Sequence, residues 1–296
     1  MGPRLLVIGA SGQLGRALCA EFRPRAEVIE AAHRLAQAGQ WRIDLADRPQ
    51  VLKALKQIRP DWVLIAGAYC NVDGAERASG LCMAVNRDGP RAVAEYAQAA
   101  SCGVVHYSTD SIFDGSQESY TELDPACPLN VYSESKVQGE AAVRDAVPDR
   151  HLIIRTAWLY GPDEARRNFV FRLLGALKDG QPVSVPSDQW GTPTYAADVA
   201  RATAELLEGG HRGTFHAAGP ELIDRVSFAR KICAQFGIDD ALLVPTPTDR
   251  LGQVARRPLR TRLDCAKLQA EGISPFRGVD DGLKALRNAL MACSDV

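Results

Sequence analysis

No run of apolar residues in this chain approaches the roughly 20 needed to cross a bilayer, and no charged stretch at the N-terminus leads into a secretory hydrophobic segment. A spanning or secreted product is therefore not expected, and the expected compartment is the cytoplasm. Charge of one sign is not concentrated anywhere: 35 basic and 36 acidic side chains leave a net charge of −1, which offers no field for nucleic acid. The eight cysteines run from Cys19 to Cys293 with no CxxC pair, which excludes an obvious disulfide framework and suits small buried thiols in a reducing compartment. Among five histidines there is no HxxxH or HExxH pattern. No metal site is assigned, and His106 and His216 read as strand residues near packing surfaces. Repeats and low-complexity tracts are missing too, which sets aside a solenoid. What is there is 296 residues at 46% hydrophobic content, enough to bury a substantial core in one large or two unequal domains.

Hydrophobic patterning alternates between strand and helix periods. Strands are expected at 4–9, 26–31, 61–67, 103–108 and 151–156, with helices near 12–22, 47–58, 81–100 and 132–145. That order predicts an α/β fold, a Rossmann-like doubly wound parallel sheet. After Pro162 the order loosens: a helix near 166–178, a proline-bounded strand at Val183-Ser184-Val185, then a turn-rich stretch. Ala196–Glu208 and Gly213–Ala218 return to the sheet. The expected division is 1–157 with 194–219 as the dinucleotide-binding domain, and 158–193 with 220–296 as a smaller substrate-binding region.

The first strand opens into Gly9-Ala10-Ser11-Gly12-Gln13-Leu14-Gly15. A strand entering a helix through glycines presents backbone N–H groups and the positive helix end to a phosphate. Gly9 would permit the tight turn, Gly12 close approach of a pyrophosphate, and Gly15 close packing of helix on strand. The spacing is GxxGxxG rather than GxGxxG, and such a turn also occurs without any ligand. Further on, Tyr132 and Lys136 stand four apart, on one face if helical, and Thr109 precedes the tyrosine by 23 residues. An ammonium beside a phenol favours the phenolate and would tune tyrosine as a general acid. The same pair also makes an ordinary solvated helix face.

Together these segments resemble an extended short-chain dehydrogenase/reductase, and the likeness continues through Asn86, Ser108-Thr109-Asp110 and Arg155-Thr156-Ala157-Trp158-Leu159-Tyr160-Gly161-Pro162, similar to the family's RxxxxYGP signature. More narrowly, Ser108–Gly115, Pro128-Leu129-Asn130-Val131-Tyr132, Asp188–Thr194 and Arg257-Pro258 with Leu263-Asp264 and Lys267-Leu268 resemble the dTDP-4-dehydrorhamnose reductase branch over nearly the whole chain. The branch usually carries tyrosine where Ser111 stands, and relatives often carry asparagine at Ile65.

The resemblance implies NADPH-dependent reduction of the 4-keto group of a nucleotide-activated deoxysugar, dTDP-4-dehydro-L-rhamnose first among them. It also admits a noncatalytic NADP-binding regulatory subunit like the methionine adenosyltransferase beta subunit. Tyr132 would donate the proton, Thr109 orient the same oxygen, and Lys136 hold the cofactor ribose. Substrate contacts would come from Thr109, Asp110, Tyr132 and Trp158, although a tryptophan there is as readily simple core. Cofactor contacts would come from Gly9, Ser11, Gly12, Gln13, Leu14 and Gly15, from Asp44-Leu45, from Ala66-Gly67-Ala68-Tyr69, and from Tyr132 and Lys136. Arg34 beside Ala32 leans towards NADP(H) through a 2′-phosphate contact, with NAD(H) also admitted and a solvated loop cation the alternative. The family brings Mg²⁺ at a subunit contact, with ligands matched to no position here, and admits a homodimer.

Overall fold

The computed structural model describes residues 2–33, 36 and 38–294. Its centre is a seven-stranded parallel sheet made of β1 (Arg4–Ile8), β2 (Glu27–Ala32), β3 (Trp41–Arg42), β4 (Trp62–Ile65), β5 (Gly103–Thr109), β6 (His151–Thr156) and β7 (Gly213–His216). The strand order is β7-β6-β5-β4-β1-β2-β3, so the direction of winding reverses between β1 and β4. In such sheets a crevice opens beyond the carboxyl ends of the strands at that reversal. The expected strands formed with ends shifted by one or two residues, while the two-residue edge strand β3 carries too short a pattern to be read from sequence.

The strands are apolar on both faces because both are covered by helices. Leu5 and Val7 of β1 face α1 (Gln13–Phe22) and the helix Ala196–Glu208, while Leu6 and Ile8 face α2 (Arg48–Ile58) and α3 (Gly89–Ala100). Between β5 and β6 lies α4 (Val131–Ala146), capped by Asn130, whose side chain accepts from Ser133 N at 2.8 Å. A separate core gathers α5 (Phe169–Lys178), α7 (Arg225–Phe236) and α8 (Val279–Ser294) around Tyr160, Leu173, Phe228 and Leu283; the helix Ala196–Glu208 is α6.

The helix expected over 81–100 is broken. Ser79–Met83 passes into a π-turn at Ala84–Asp88 before α3 begins. Pro90 lacks the N–H that would bond the carbonyl of Asn86 in a continuous helix, so the wider turn is the local solution. That carbonyl instead lies against α4: a Cβ on Gly139 would sit 2.2 Å from it.

Candidate active site

The glycine turn sits at the reversal point. Gly9 has φ +92°, a conformation open to glycine, and a Cβ there would meet Gly67 N at 2.5 Å. A Cβ on Gly15 would lie 2.1 Å from Gly9 O, so α1 packs onto β1 through bare backbone. Gly12 is the N-cap of α1, gives no side-chain cap, and donates its N–H to Gly9 O at 2.9 Å. The first-turn amides of α1 are thus uncapped by side chain, an arrangement that fits a dinucleotide phosphate. Ser11 is half-buried in this turn and Leu14 is core. Gln13 uses its amide across the crevice, donating to Leu159 O at 3.2 Å and accepting from Asn168 Nδ2 at 2.9 Å.

The turn is flanked by other candidate cofactor residues. Asp44 accepts from Ala46 N at 2.9 Å and stands 3.3 Å from His33 Nε2, while Leu45 is buried beside Gly67. Ala66-Gly67-Ala68-Tyr69 leaves the end of β4, and its course is fixed by Asn86: Tyr69 N donates to Oδ1 at 2.8 Å and Nδ2 donates to Tyr69 O at 3.0 Å. Ile65, the departure from relatives, is packed in the core behind this loop. Arg34, the expected 2′-phosphate contact, lies outside the described residues.

Thr109 ends β5, and Tyr132 and Lys136 come from the first two turns of α4. Thr109 Oγ1 donates to Asp110 Oδ1 at 3.2 Å, accepts from Ser111 N at 3.2 Å, and is 3.1 Å from Ser111 Oγ. Ser133 Oγ is in turn 3.1 Å from Ser111 Oγ. Ser111, where the resemblance leads to an expectation of tyrosine, is therefore built into a hydroxyl chain. Asp110 is buried and its carboxyl is pushed up by burial, with hydrogen bonds from Thr261 and Thr109 opposing the shift.

The electrostatics reverse one expectation. Burial drives the Tyr132 phenol above its ordinary value, and the hydrogen bond with Thr109 acts the other way. The ammonium is aimed elsewhere, donating to Tyr107 O at 2.6 Å and standing 3.2 Å from His106 Nε2. Burial lowers Lys136 to about 8. A phenol held protonated is what a reduction requires, since it must release its proton to the alkoxide formed as hydride arrives.

Trp158 has φ +39°, outside the common range for a non-glycine residue, and its ring is closely packed. A Cβ on Gly191 would lie 2.3 Å from that ring, and the Arg225 guanidinium stacks 3.2 Å from its centroid. Gln189 O accepts from Arg225 N at 2.9 Å, so the Asp188–Thr194 motif shapes the site by supporting Trp158 and Arg225. A final strap closes the site. Ala255 N donates to Asp73 Oδ1 at 3.0 Å, Arg257 pairs with Asp73 at 3.1 Å, Asn130 Nδ2 donates to Arg256 O at 2.8 Å, and Thr261 Oγ1 donates to Asp110 Oδ2. Sequence reasoning missed Arg225, Ser133, Thr261 and the His106 contact; partners this far apart leave no local signal. Among the described residues no cluster of three or more His, Cys, Asp or Glu could hold a metal, and no helix is long and apolar enough to cross a membrane.

A parallel sheet with a glycine turn at its reversal and a Thr, Tyr and Lys set beside it defines an extended short-chain dehydrogenase/reductase. Residues 3–291 match the family described as RmlD substrate binding domain, and the chain belongs to that family, the dTDP-4-dehydrorhamnose reductases and their kin. It is 36% identical over 281 residues to the dTDP-4-dehydrorhamnose reductase of Streptomyces griseus, covering 93% of this chain and 90% of the relative. With the dTDP-4-keto-6-deoxy-D-glucose reductase of Streptomyces niveus it shares 34% over 278 residues, 94% of each chain. The crystal structure of dTDP-4-dehydrorhamnose reductase from Bacillus anthracis in complex with NADP superposes with a TM-score of 0.89 at 30% identity, covering 98% of this chain and all of that one.

Proposed function

We propose that this protein reduces the 4-keto group of a dTDP-activated 6-deoxysugar with NADPH, converting dTDP-4-dehydro-L-rhamnose to dTDP-L-rhamnose. The observation that carries this reading is the convergence of Thr109, Tyr132 and Lys136 beside an uncapped glycine turn, in a chain matched along nearly its whole length by named reductases. The nicotinamide, when bound, supplies the hydride. Gly9, Gly12 and Gly15 would seat the pyrophosphate through backbone, Ser11, Gln13, Leu14, Asp44-Leu45 and Ala66–Tyr69 would line the rest of the dinucleotide, and Lys136 would hold its ribose. Tyr132 donates the proton to the carbonyl oxygen, and Thr109 orients that oxygen through its hydroxyl. Trp158, stiffened by Gly191 and Arg225, packs against the sugar, with Asp110 positioning Thr109 from behind.

In this reading 1–157 and 194–219 carry the cofactor, and 158–193 and 220–296 the sugar nucleotide. The protein works in the cytoplasm, and its assembly as a homodimer is open to measurement by sedimentation. The Streptomyces niveus relative, named for a D-glucose-configured ketosugar, favours a second substrate of the same class. The noncatalytic alternative has no matching support, since Thr109, Tyr132 and Lys136 are all present. The test is NADPH oxidation by the purified protein with each of the two ketosugars. Oxidation with neither would overturn the proposal. Tyr132→Phe should keep NADPH binding and lose on the order of 100- to 10,000-fold in turnover.

A further inference from the structure

We propose that His106 is the positioning residue of the Lys136 ammonium: a neutral imidazole on β5 whose Nε2 lone pair accepts one ammonium N–H and fixes the direction of the others. The inference rests on the reading of Lys136 as the ribose-holding lysine. Nε2 lies 3.2 Å from Nζ, both side chains are almost wholly buried, and the Tyr107 carbonyl, which can only accept, takes a second N–H at 2.6 Å. Two of three donors are thereby pinned to β5 and the third is left for the site.

The tautomer follows from the geometry. An Nε2–H would point a donor at a cation, so the proton belongs on Nδ1. Nδ1 is buried with no hydrogen-bond partner. A buried N–H left unpaired is unfavourable, and here it is tolerated where the opposite nitrogen meets the lysine. Burial, followed by the Lys136 charge, drives the imidazole well below its ordinary value, which keeps it neutral and an acceptor at every working pH. The backbone is arranged for the contact as well. Gly139, one turn from Lys136, brings α4 so close that its Cβ would be 3.3 Å from His106 Nε2.

The other titratable groups facing Lys136 are Cys70 from the loop after β4, Cys82 from Ser79–Met83, and Glu140 on α4 itself. The Glu140 carboxylate is engaged by Arg155 at 2.7 Å, and Cys82 Sγ lies 3.3 Å from Ser135 Oγ. His106 is thus the side chain in direct hydrogen-bond contact with the ammonium.

The test is a pH titration of the Lys136 side chain by carbon-13 NMR on the full-length protein labelled at lysine Cε, assigned by comparison with Lys136→Met. Three variants are compared. His106→Met removes the acceptor at similar volume, His106→Gln sets an amide oxygen where Nε2 was, and His106→Asn sets it where Nδ1 was. Loss of a hydrogen bond to the charged form lowers a lysine's proton affinity. His106→Met and His106→Asn should therefore titrate about one pH unit lower, a tenfold change, and His106→Gln near the parent. The alkaline limb of kcat for ketosugar reduction should move with the NMR value. A Lys136 titration unmoved in His106→Met, or moved equally in the Gln and Asn variants, overturns the proposal. Should His106→Met not fold by circular dichroism, the Gln and Asn pair decides alone. If the parent turns over no ketosugar, the proposed activity fails, while the NMR comparison still tests the His106 contact.

Discussion

Replacing Lys136 with methionine should abolish reduction yet make the fold less sensitive to alkaline pH. The lysine titrates at about 8 when folded against 10.5 when free. Between those values the unfolded chain binds the proton and the folded one does not, so the parent gains stability as pH rises through that window. Below pH 8 both states are charged and the burial cost stands in full. At about 1.4 kcal/mol per pH unit that cost is roughly 3 kcal/mol, and from pH 7 to about 9.5 the recovered part is roughly 2 kcal/mol. The variant loses the donations to Tyr107 O and His106, which offsets about 1–3 kcal/mol and leaves its stability at pH 7 near or slightly above the parent's. The difference in pH slope is therefore the sharper measure. Buried thiols and phenols remote from Lys136 cancel when the two are compared, and the two thiols its charge reaches, Cys70 and Cys82, are shifted chiefly by burial. Guanidinium unfolding at half-unit steps across this range should show the parent rising relative to Lys136→Met. Parallel curves would refute the claim that a charged lysine is buried here, and retained turnover would refute its place in the site.

Two further substitutions probe other links. Arg155→Met strands the buried Glu140 carboxylate, which Arg155 Nη2 now meets at 2.7 Å, and should cost about 3–5 kcal/mol in denaturant unfolding; adding Glu140→Gln should recover much of it. Ser111→Tyr cannot keep the 3.1 Å links to Thr109 and Ser133, so the ring must turn towards the sugar side. Specificity constants for the two dTDP-ketosugars should change their ratio while NADPH affinity measured by titration stays put; identical constants for both would show that Ser111 does not set selectivity.

The parts legible in the sequence were those that physics writes locally. Gly9 and Gly15 were readable because a φ of +92° and a 2.1 Å approach admit no side chain. The Tyr132 and Lys136 pair was readable because helical spacing alone sets them on one face. The single helix over 81–100 was misread because Pro90, allowed at a helix start, also frees the Asn86 carbonyl and opens a π-turn. The direction of the Tyr132 shift was misread for a different reason. Spacing gave the phenol's neighbour but not the phenol's own burial, which sets the direction of the shift. Arg225 on Trp158, and Thr261 on Asp110 from 151 residues away, had no counterpart in any local pattern.

The strap across the site also fixes when the enzyme can become one during synthesis. The glycine turn, β5 and α4 have all left the ribosome once residue 146 has emerged, and α6, which covers β1 and α1, follows by residue 208. Asp110, however, has no Thr261 to hold it, and Asn130 no Arg256 carbonyl, until the strap itself is made. Nascent chains would then be competent to take cofactor well before they could commit it to a sugar.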